Sequence, residues 1–489
     1  MPNSGCPIKS EWLVHSSKPL RDQIVVWDQL ATVRGNTILL IRSFSDLIRA
    51  RRTTFCLLAC IVLFLTALSR YSVSYVSSDS VPREPETFRL AHSLCETGKF
   101  ANPFAALDTG PSAHLSPVFP SFLALLMKLF GDGSNGIYAI RLAAALILSL
   151  ELALYPVFSR MLGMGEMNGI IGASIWIVAK PKIVYDHEEL YVAILVAVAC
   201  CCYRRYLDEE AQEHRRLAWP LGILMGFLIL TSQTAAPVYA AWLGWEVWRL
   251  KYVFFQRSLL PLVLMPVVII APWTIRNYLV FHSFTPIRDN FGLELSVSNT
   301  DCARFGIRAN EWTGCFEKIH PNKSVNEARK AMELGEINYN ALRLREALDW
   351  ISSHPARFIK LSTMRFIAFW MPTENFDILN ASGRRLERAA IYLMTLLSGL
   401  GFVILCRRDI KSGVLLISCL TVFPLVYYIV QFEYRYRYSI MWMTFLLGAM
   451  PLTACARQLG ETLRVSLHGH GADSKIKSNR PAKLPPLMR

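Results

Sequence analysis

The sequence has no glycine-rich phosphate loop and no stretch patterned as a cytosolic α/β domain, so nothing in it points to a nucleotide-sugar site. It has no RNA- or DNA-binding motif, which leaves its net charge of +15 without a nucleic acid to explain it. None of its twelve cysteines falls in a C-x-x-C pair, and most lie inside apolar segments, as in Cys200-Cys201-Cys202. That argues against thiol redox chemistry and for packing. There is no internal repeat, which counts against the repeat-built transporters. Charge is sparse at 18% of residues. The first 53 residues are polar, too long for a signal peptide and without a small-residue cleavage site.

What the chain does have is apolar length. Of its 489 residues, 53% are apolar, and several runs approach or exceed the roughly 18 residues that cross a bilayer. The expected fold is all-α and polytopic, with roughly ten crossings. These fall near 54–68, 137–158, 169–184, 190–206, a pair around a turn at 233–237, 259–273, 389–406, 413–430 and 439–456. Lys and Arg gather at segment ends, at Arg51-Arg52, Arg204-Arg205, Arg215-Arg216 and Arg407-Arg408. The positive-inside rule then puts both termini in the cytoplasm and two large polar loops, 79–131 and 280–386, outside. Three parts are expected: a cytoplasmic extension 1–53, a membrane domain 54–457, and a basic tail 458–489 with no regular structure. Segments 119–130 and 358–371 are surface helices or further crossings, and if only one crosses, the orientation of what lies between or after it inverts. One helix is expected over 324–354.

The candidate chemistry lies in the loops. Glu84 and Glu86 follow the first crossing, and Pro85 suits the first position of a helix, so Glu86 falls in its first turn. A carboxylate there is favoured in its ionised form and can take a proton from an attacking hydroxyl. Arg89 shares that helix face and is a candidate substrate contact; the alternative is a solvated helix start with an ion pair. His114 reads as a turn or substrate contact. Asp186-His187-Glu188-Glu189 is a second acidic cluster, suited to orienting a sugar, binding a metal or merely capping a helix. In Glu433-Tyr434-Arg435-Tyr436-Arg437-Tyr438, two arginines stand at a membrane boundary on the side where arginine is unexpected. Arg435 and Arg437 are therefore candidates for a phosphate headgroup, with Arg276 and Arg288 as lesser ones. Glu151 inside the second crossing lacks an obvious partner. Cys302 and Cys315 share the second loop and form a disulfide if that loop meets an oxidising compartment.

The order of several motifs extends the reading. E-x-x-R-x-A, G-x-F-x-N-P-F, T-G-P-x-A-H-L-x-P-x-x-P and L-F-G run from Glu86 to Gly131. P-W-T-I-R-N-Y-L-V-F, P-I-R-D-N-F-G-L-E-L, H-P…G-E-I-N-Y and R-Y-R-Y-S-I follow in that order. Over about residues 55–455 this series resembles bacterial GT-C glycosyltransferases. The nearest groups are the protein O-mannosyltransferases and the lipid A aminoarabinose and core galacturonosyl transferases. The resemblance implies a polyprenyl-phosphate sugar donor, a lipid, glycan or protein acceptor, and a site outside the cytoplasmic membrane. It makes Glu86 the base, with Glu84 competing for the role, and Glu188 a secondary acid. Relatives carry an Asp or an Asp-Glu pair where this chain has Arg83-Glu84 and Glu86. No organic cofactor is expected; a divalent metal is the alternative to arginine for stabilising the leaving phosphate. The competing function is a transporter or flippase of lipid-linked sugars.

Overall fold

The computed structural model describes residues 53–72, 86–181, 185, 187–208, 211–249, 259–372 and 385–476. The chain divides into two compact units, Met1–Leu58 and Ala59–Arg489. The candidate site and the helices around it lie within the second.

Helix follows helix. The apolar series is α1 (Thr53–Ser72), then α4 (Ser134–Met161), α5 (Glu166–Ala179), α6 (Glu189–Tyr206), α7 (Ala211–Thr231), α8 (Ala235–Arg249), α9 (Leu259–Phe281), α16 (Arg385–Arg408), α17 (Ile410–Val422), α18 (Leu425–Ile429) and α19 (Tyr438–Ile476). These stand where the crossings are expected. Among the described residues, six segments are long and apolar enough to cross a membrane: α1, α4, α9, α16, Ile410–Ile429 and Tyr434–Leu459. The loop elements are α2 (Glu86–Thr97), α3 (Val118–Phe130), α10 (Phe291–Ser298), α11 (Ile307–Trp312), α12 (Cys315–Ile319), α13 (Val325–Leu334), α14 (Glu336–Ser353), α15 (Pro355–Trp370) and a 3-10 turn (Tyr434–Arg437). Among the described residues there is no strand, only two isolated bridges.

The core forms around α19. Its residues 438–450 are buried on every side, the pattern of a helix enclosed by others. Helices α5, α6, α16 and α17 surround it. Without a hydrophobic force between helices in lipid, close approach depends on small residues and polar links. Both occur here. A Cβ on Gly401 would lie 1.8 Å from Leu447 O, and one on Gly448 would lie 2.7 Å from Met394 O. Asn168 of α5 donates to Leu446 O at 2.7 Å and accepts from Thr453 at 3.0 Å. Glu151 does have a partner, the Tyr155 hydroxyl one turn on, at 3.5 Å.

Several boundaries differ from expectation for local reasons. α5 ends at Ala179 because Lys180, which precedes Pro181, takes a left-handed conformation (φ 50°, ψ 62°). Pro424 divides the crossing expected over 413–430 into α17 and α18. The helix expected over 324–354 is two, because Gly335 at φ 76° turns the chain between α13 and α14. α13 starts at Ser324, whose hydroxyl accepts from Glu327 N. α19 continues to Ile476, and the chain past Arg457 meets no proline until Pro481. Cys302 and Cys315 are disulfide-bonded.

Two glycines of α16 test the packing. Gly399 has nothing within 4 Å of an added Cβ, whereas Gly401 meets the backbone of α19. Gly401→Ala should cost about 1–3 kcal/mol and lower the thermal midpoint in detergent. Gly399→Ala should be neutral or gain up to about 1 kcal/mol from helix propensity. Equal midpoints for the two variants would contradict this packing.

Candidate active site

α2 opens on Glu86, and the loop after it folds over that residue. In Gly98–Phe104 and Thr109–His114 the chain doubles back. Asn102 N donates to Gly110 O at 2.9 Å, Gly110 N to Asn102 Oδ1 at 2.8 Å, and Ser112 N to Phe100 O at 3.0 Å. Asn102 reaches this geometry with φ 59°, a left-handed value that asparagine tolerates. The second loop region clamps the first. Asp289 N donates to Ala113 O at 2.8 Å, Ala113 N to Glu336 Oε1 at 2.6 Å, and Ala105 N to Asn322 Oδ1 at 2.8 Å.

These clamps bring two buried imidazoles to the Glu86 carboxylate. His114 Nε2 lies 3.6 Å from Oε2 and His320 Nε2 lies 3.7 Å from Oε1. Phe104 meets both rings edge-on, and Phe316 stacks on His320 at 4.3 Å. Asn322 N donates to His320 Nδ1 at 3.1 Å. The neutral His320 ring therefore carries its proton on Nε2, facing Glu86. Burial would push the Glu86 carboxyl up. The close attraction of His114, followed by the charges of His320 and Arg435, outweighs burial and holds it at about 2. Burial lowers His320 to about 4. His114 is also disfavoured as a cation by burial, yet Glu86 raises its pKa above the ordinary value.

Glu86 lines a cavity of about 470 Å³ together with Glu188, Glu189, Arg288, Glu294, Arg435 and Tyr436. One wall is apolar, built by Val422, Phe423, Leu425, Val426 and Val430 at the end of α17 and along α18. Arg435 binds Glu189 Oε1 at 2.5 Å and pairs with Glu433, its guanidinium lying 4.8 Å over the Tyr436 ring. Arg288 lies 4.0 Å from Glu188. A carboxylate held ionised, two guanidinium groups and an apolar wall thus face one space. This arrangement can take a phosphorylated head with a long hydrocarbon tail.

No protein-family model and no curated protein matches the sequence. Solved structures match the fold. The oligosaccharyltransferase AglB of the archaeon Archaeoglobus fulgidus, solved with an inhibitory peptide and a dolichol-phosphate, aligns at TM-score 0.50 and 11% identity over 88% of this chain. The chain spans about half (53%) of that protein. The apo Archaeoglobus fulgidus oligosaccharyltransferase aligns at TM-score 0.49 and 12% identity, covering 84% of this chain and 52% of its own. ArnT of Cupriavidus metallidurans, bound to undecaprenyl phosphate, gives 0.37 and 15%, covering 82% of this chain and 78% of its own. The first comparison carries the assignment. The chain shares the fold of that archaeal oligosaccharyltransferase.

Within this fold the residues singled out from sequence fall into two sets. Glu86, Glu188 and Arg435 meet at the cavity. His114 lies behind Glu86, fully buried. Arg437 is buried too, donating to Trp370 O at the end of α15 and to Thr395 Oγ1, so it caps a helix. Arg276 braces the first loop, donating to Ser112 O at 2.8 Å and Phe100 O at 3.0 Å, with its guanidinium 4.8 Å over Trp273. Arg89 faces away, paired with Asp108 at 3.0 Å. Glu84 and Asp186 lie outside the described residues. Sequence reasoning gave no role to His320 or Glu294, and took Glu189 only as part of an acidic cluster. Each stands in a quoted motif or acidic cluster, but only the fold brings it to Glu86 or the cavity.

A divalent metal would need converging ligands. Among the described residues the cavity carboxylates form no such group; the one that forms is His92, Glu96 and Asp132, all exposed and away from the cavity. There His92 Nδ1 lies 3.3 Å from Glu96 Oε2 and its Nε2 3.4 Å from Asp132 Oδ2. A ring engaged at both nitrogens by carboxylates already has the partners of a surface ion pair.

The Glu86–His114 pair has a pH signature. Because folding raises the His114 pKa, its stabilisation is complete below the free value and is lost as pH rises through the folded one. The thermal midpoint of the native protein minus that of His114→Gln should be largest near about pH 6 and shrink towards about pH 9. A constant difference would show that His114 carries no charge in the folded protein.

Proposed function

We propose that the protein transfers a hexosyl or pentosyl unit from a polyprenyl-phosphate donor to an acceptor hydroxyl. The observation that carries this is the shared cavity, where Glu86 and two arginines face an apolar wall. The archaeal protein of the same fold holds a dolichol-phosphate, a ligand of the same chemical kind. The isoprenoid lies along α18, and its phosphate is met by Arg435 and Arg288. These charges balance the phosphate as its bond to the anomeric carbon breaks. Glu86 accepts a hydrogen bond from the acceptor hydroxyl and aims it at that carbon. A carboxylate with a pKa of about 2 orients such a group well and holds a proton poorly. The acceptor is a lipid, a glycan or a protein. The cationic segment ends support a multi-pass protein of the cytoplasmic membrane with this cavity on the outer side.

The test uses purified protein in detergent, undecaprenyl-phosphate sugars labelled in the sugar, and a source-membrane extract as acceptor. The native protein should release undecaprenyl phosphate and label the extract. Glu86→Gln should lose about 10²–10⁴-fold in rate, with Glu86→Asp between the two. Full rate in Glu86→Gln would reject the role of Glu86. Movement of intact donor across vesicles without release would favour the transporter reading.

A further inference from the structure

Four carboxylates line the cavity, and three are engaged. Glu86 faces two imidazoles, Glu188 faces Arg288, and Glu189 is bound by Arg435. The fourth, Glu294, has no side-chain hydrogen bond or ion pair among the described residues.

Its placement is fixed by the helix that carries it. α10 is pressed against α14, where a Cβ on Gly292 would come within 2.0 Å of Asn340 O. Asn340 receives Leu293 N at 3.3 Å and donates to Asp289 O at 2.8 Å, tying the start of α10 from both sides. Leu293 and Leu295 on either side of Glu294 are buried in the protein. The glutamate side chain alone of these three reaches the cavity. An acid on a rigidly seated helix, opening into a substrate-sized space with its lone pairs free, has the requirements of a proton acceptor.

We propose that Glu294 is the catalytic base that takes the proton from the acceptor hydroxyl while Glu86 holds that hydroxyl in line. The inference rests on the transferase reading. In the step, the acceptor oxygen forms its bond to the anomeric carbon and the O–H proton passes to the Glu294 carboxylate. The bond from the anomeric carbon to the phosphate oxygen breaks, and its electron pair leaves on polyprenyl phosphate. Glu294 then gives the proton to solvent or to that phosphate, restoring the starting state.

The electrostatics support a division of labour. Burial, and then the neighbouring Glu86 charge, raise the Glu294 pKa above the ordinary carboxylate value, while His114, Arg288 and Arg435 pull it back. Tyr436 interacts with it as well. Two carboxylates in one cavity with pKa values pushed apart is the arrangement by which one stays a fixed anion and the other exchanges protons.

The experiment is the same donor-release assay, run as a pH–rate profile with kcat and KM for the donor separated. Glu294→Gln should lower kcat about 10²–10³-fold, change the donor KM by less than about three-fold, and abolish the acidic limb of the profile. Glu294→Asp, which keeps the carboxylate, should restore part of the rate and keep that limb. Full rate in Glu294→Gln overturns the proposal, and so does a slow variant whose acidic limb is unchanged. If Glu294→Gln does not fold, Glu294→Asp decides: a native profile at native rate overturns the proposal, and a slowed rate with a displaced acidic limb supports it. No release by the native protein at any pH would defeat the transferase reading itself, whereas release by the native protein with either overturning result defeats only the role of Glu294.

Discussion

A half-buried carboxylate between two buried imidazoles sets the terms for this structure. Burial disfavours the charged form of both Glu86 and His114, and each favours the charge on the other. Each charge depends on the other, and both depend on the loop clamps that hold α2, the first loop and the α12–α14 region together. Arg276 contributes to that clamp from the membrane side by binding two carbonyls of the first loop. The disulfide fastens the start of α12 just before Phe316, whose ring stacks on His320. Much of the second loop is therefore support for one carboxylate.

The membrane bundle plays a different part. α19 is enclosed for most of its apolar length, and glycine contacts hold α16 and α5 close to it. The 3-10 turn leading into α19 carries Arg435 to the cavity and turns Arg437 the other way, onto the last carbonyl of α15. Two arginines that look equivalent in the sequence therefore end with opposite tasks. One meets acids at the cavity, while the other satisfies a helix terminus that would otherwise be left without a donor.

Much of this was legible in the chain. Apolar length and the placing of Lys and Arg gave the helices of the bundle, because a bilayer constrains length and charge residue by residue. Glu86 stood out because Pro85 marks a helix start, and the Cys302–Cys315 bond because both share one polar loop. What stayed hidden depends on long-range assembly. His320 lies 234 positions after Glu86 and Glu294 lies 208 after it, and no periodicity links residues so far apart. The choice between Arg435 and Arg437 turned on the sense of one short turn. Arg89 and Arg276 were candidates for substrate or its phosphate and His114 for a turn or substrate contact; in the fold Arg89 pairs with Asp108, Arg276 binds two carbonyls of the first loop and His114 lies behind Glu86, a distinction that residue type cannot make.

The account stands on the claim that a phosphorylated isoprenoid enters the cavity beside Glu86 with its phosphate on Arg435 and Arg288. Determining the structure of the protein with a polyprenyl phosphate bound would test this most directly. The expected result is a phosphate within hydrogen-bond reach of both guanidinium groups and an isoprenoid chain along α18. A phosphate seated against Arg276, Arg437 or the exposed His92 group, with this cavity empty, would contradict it.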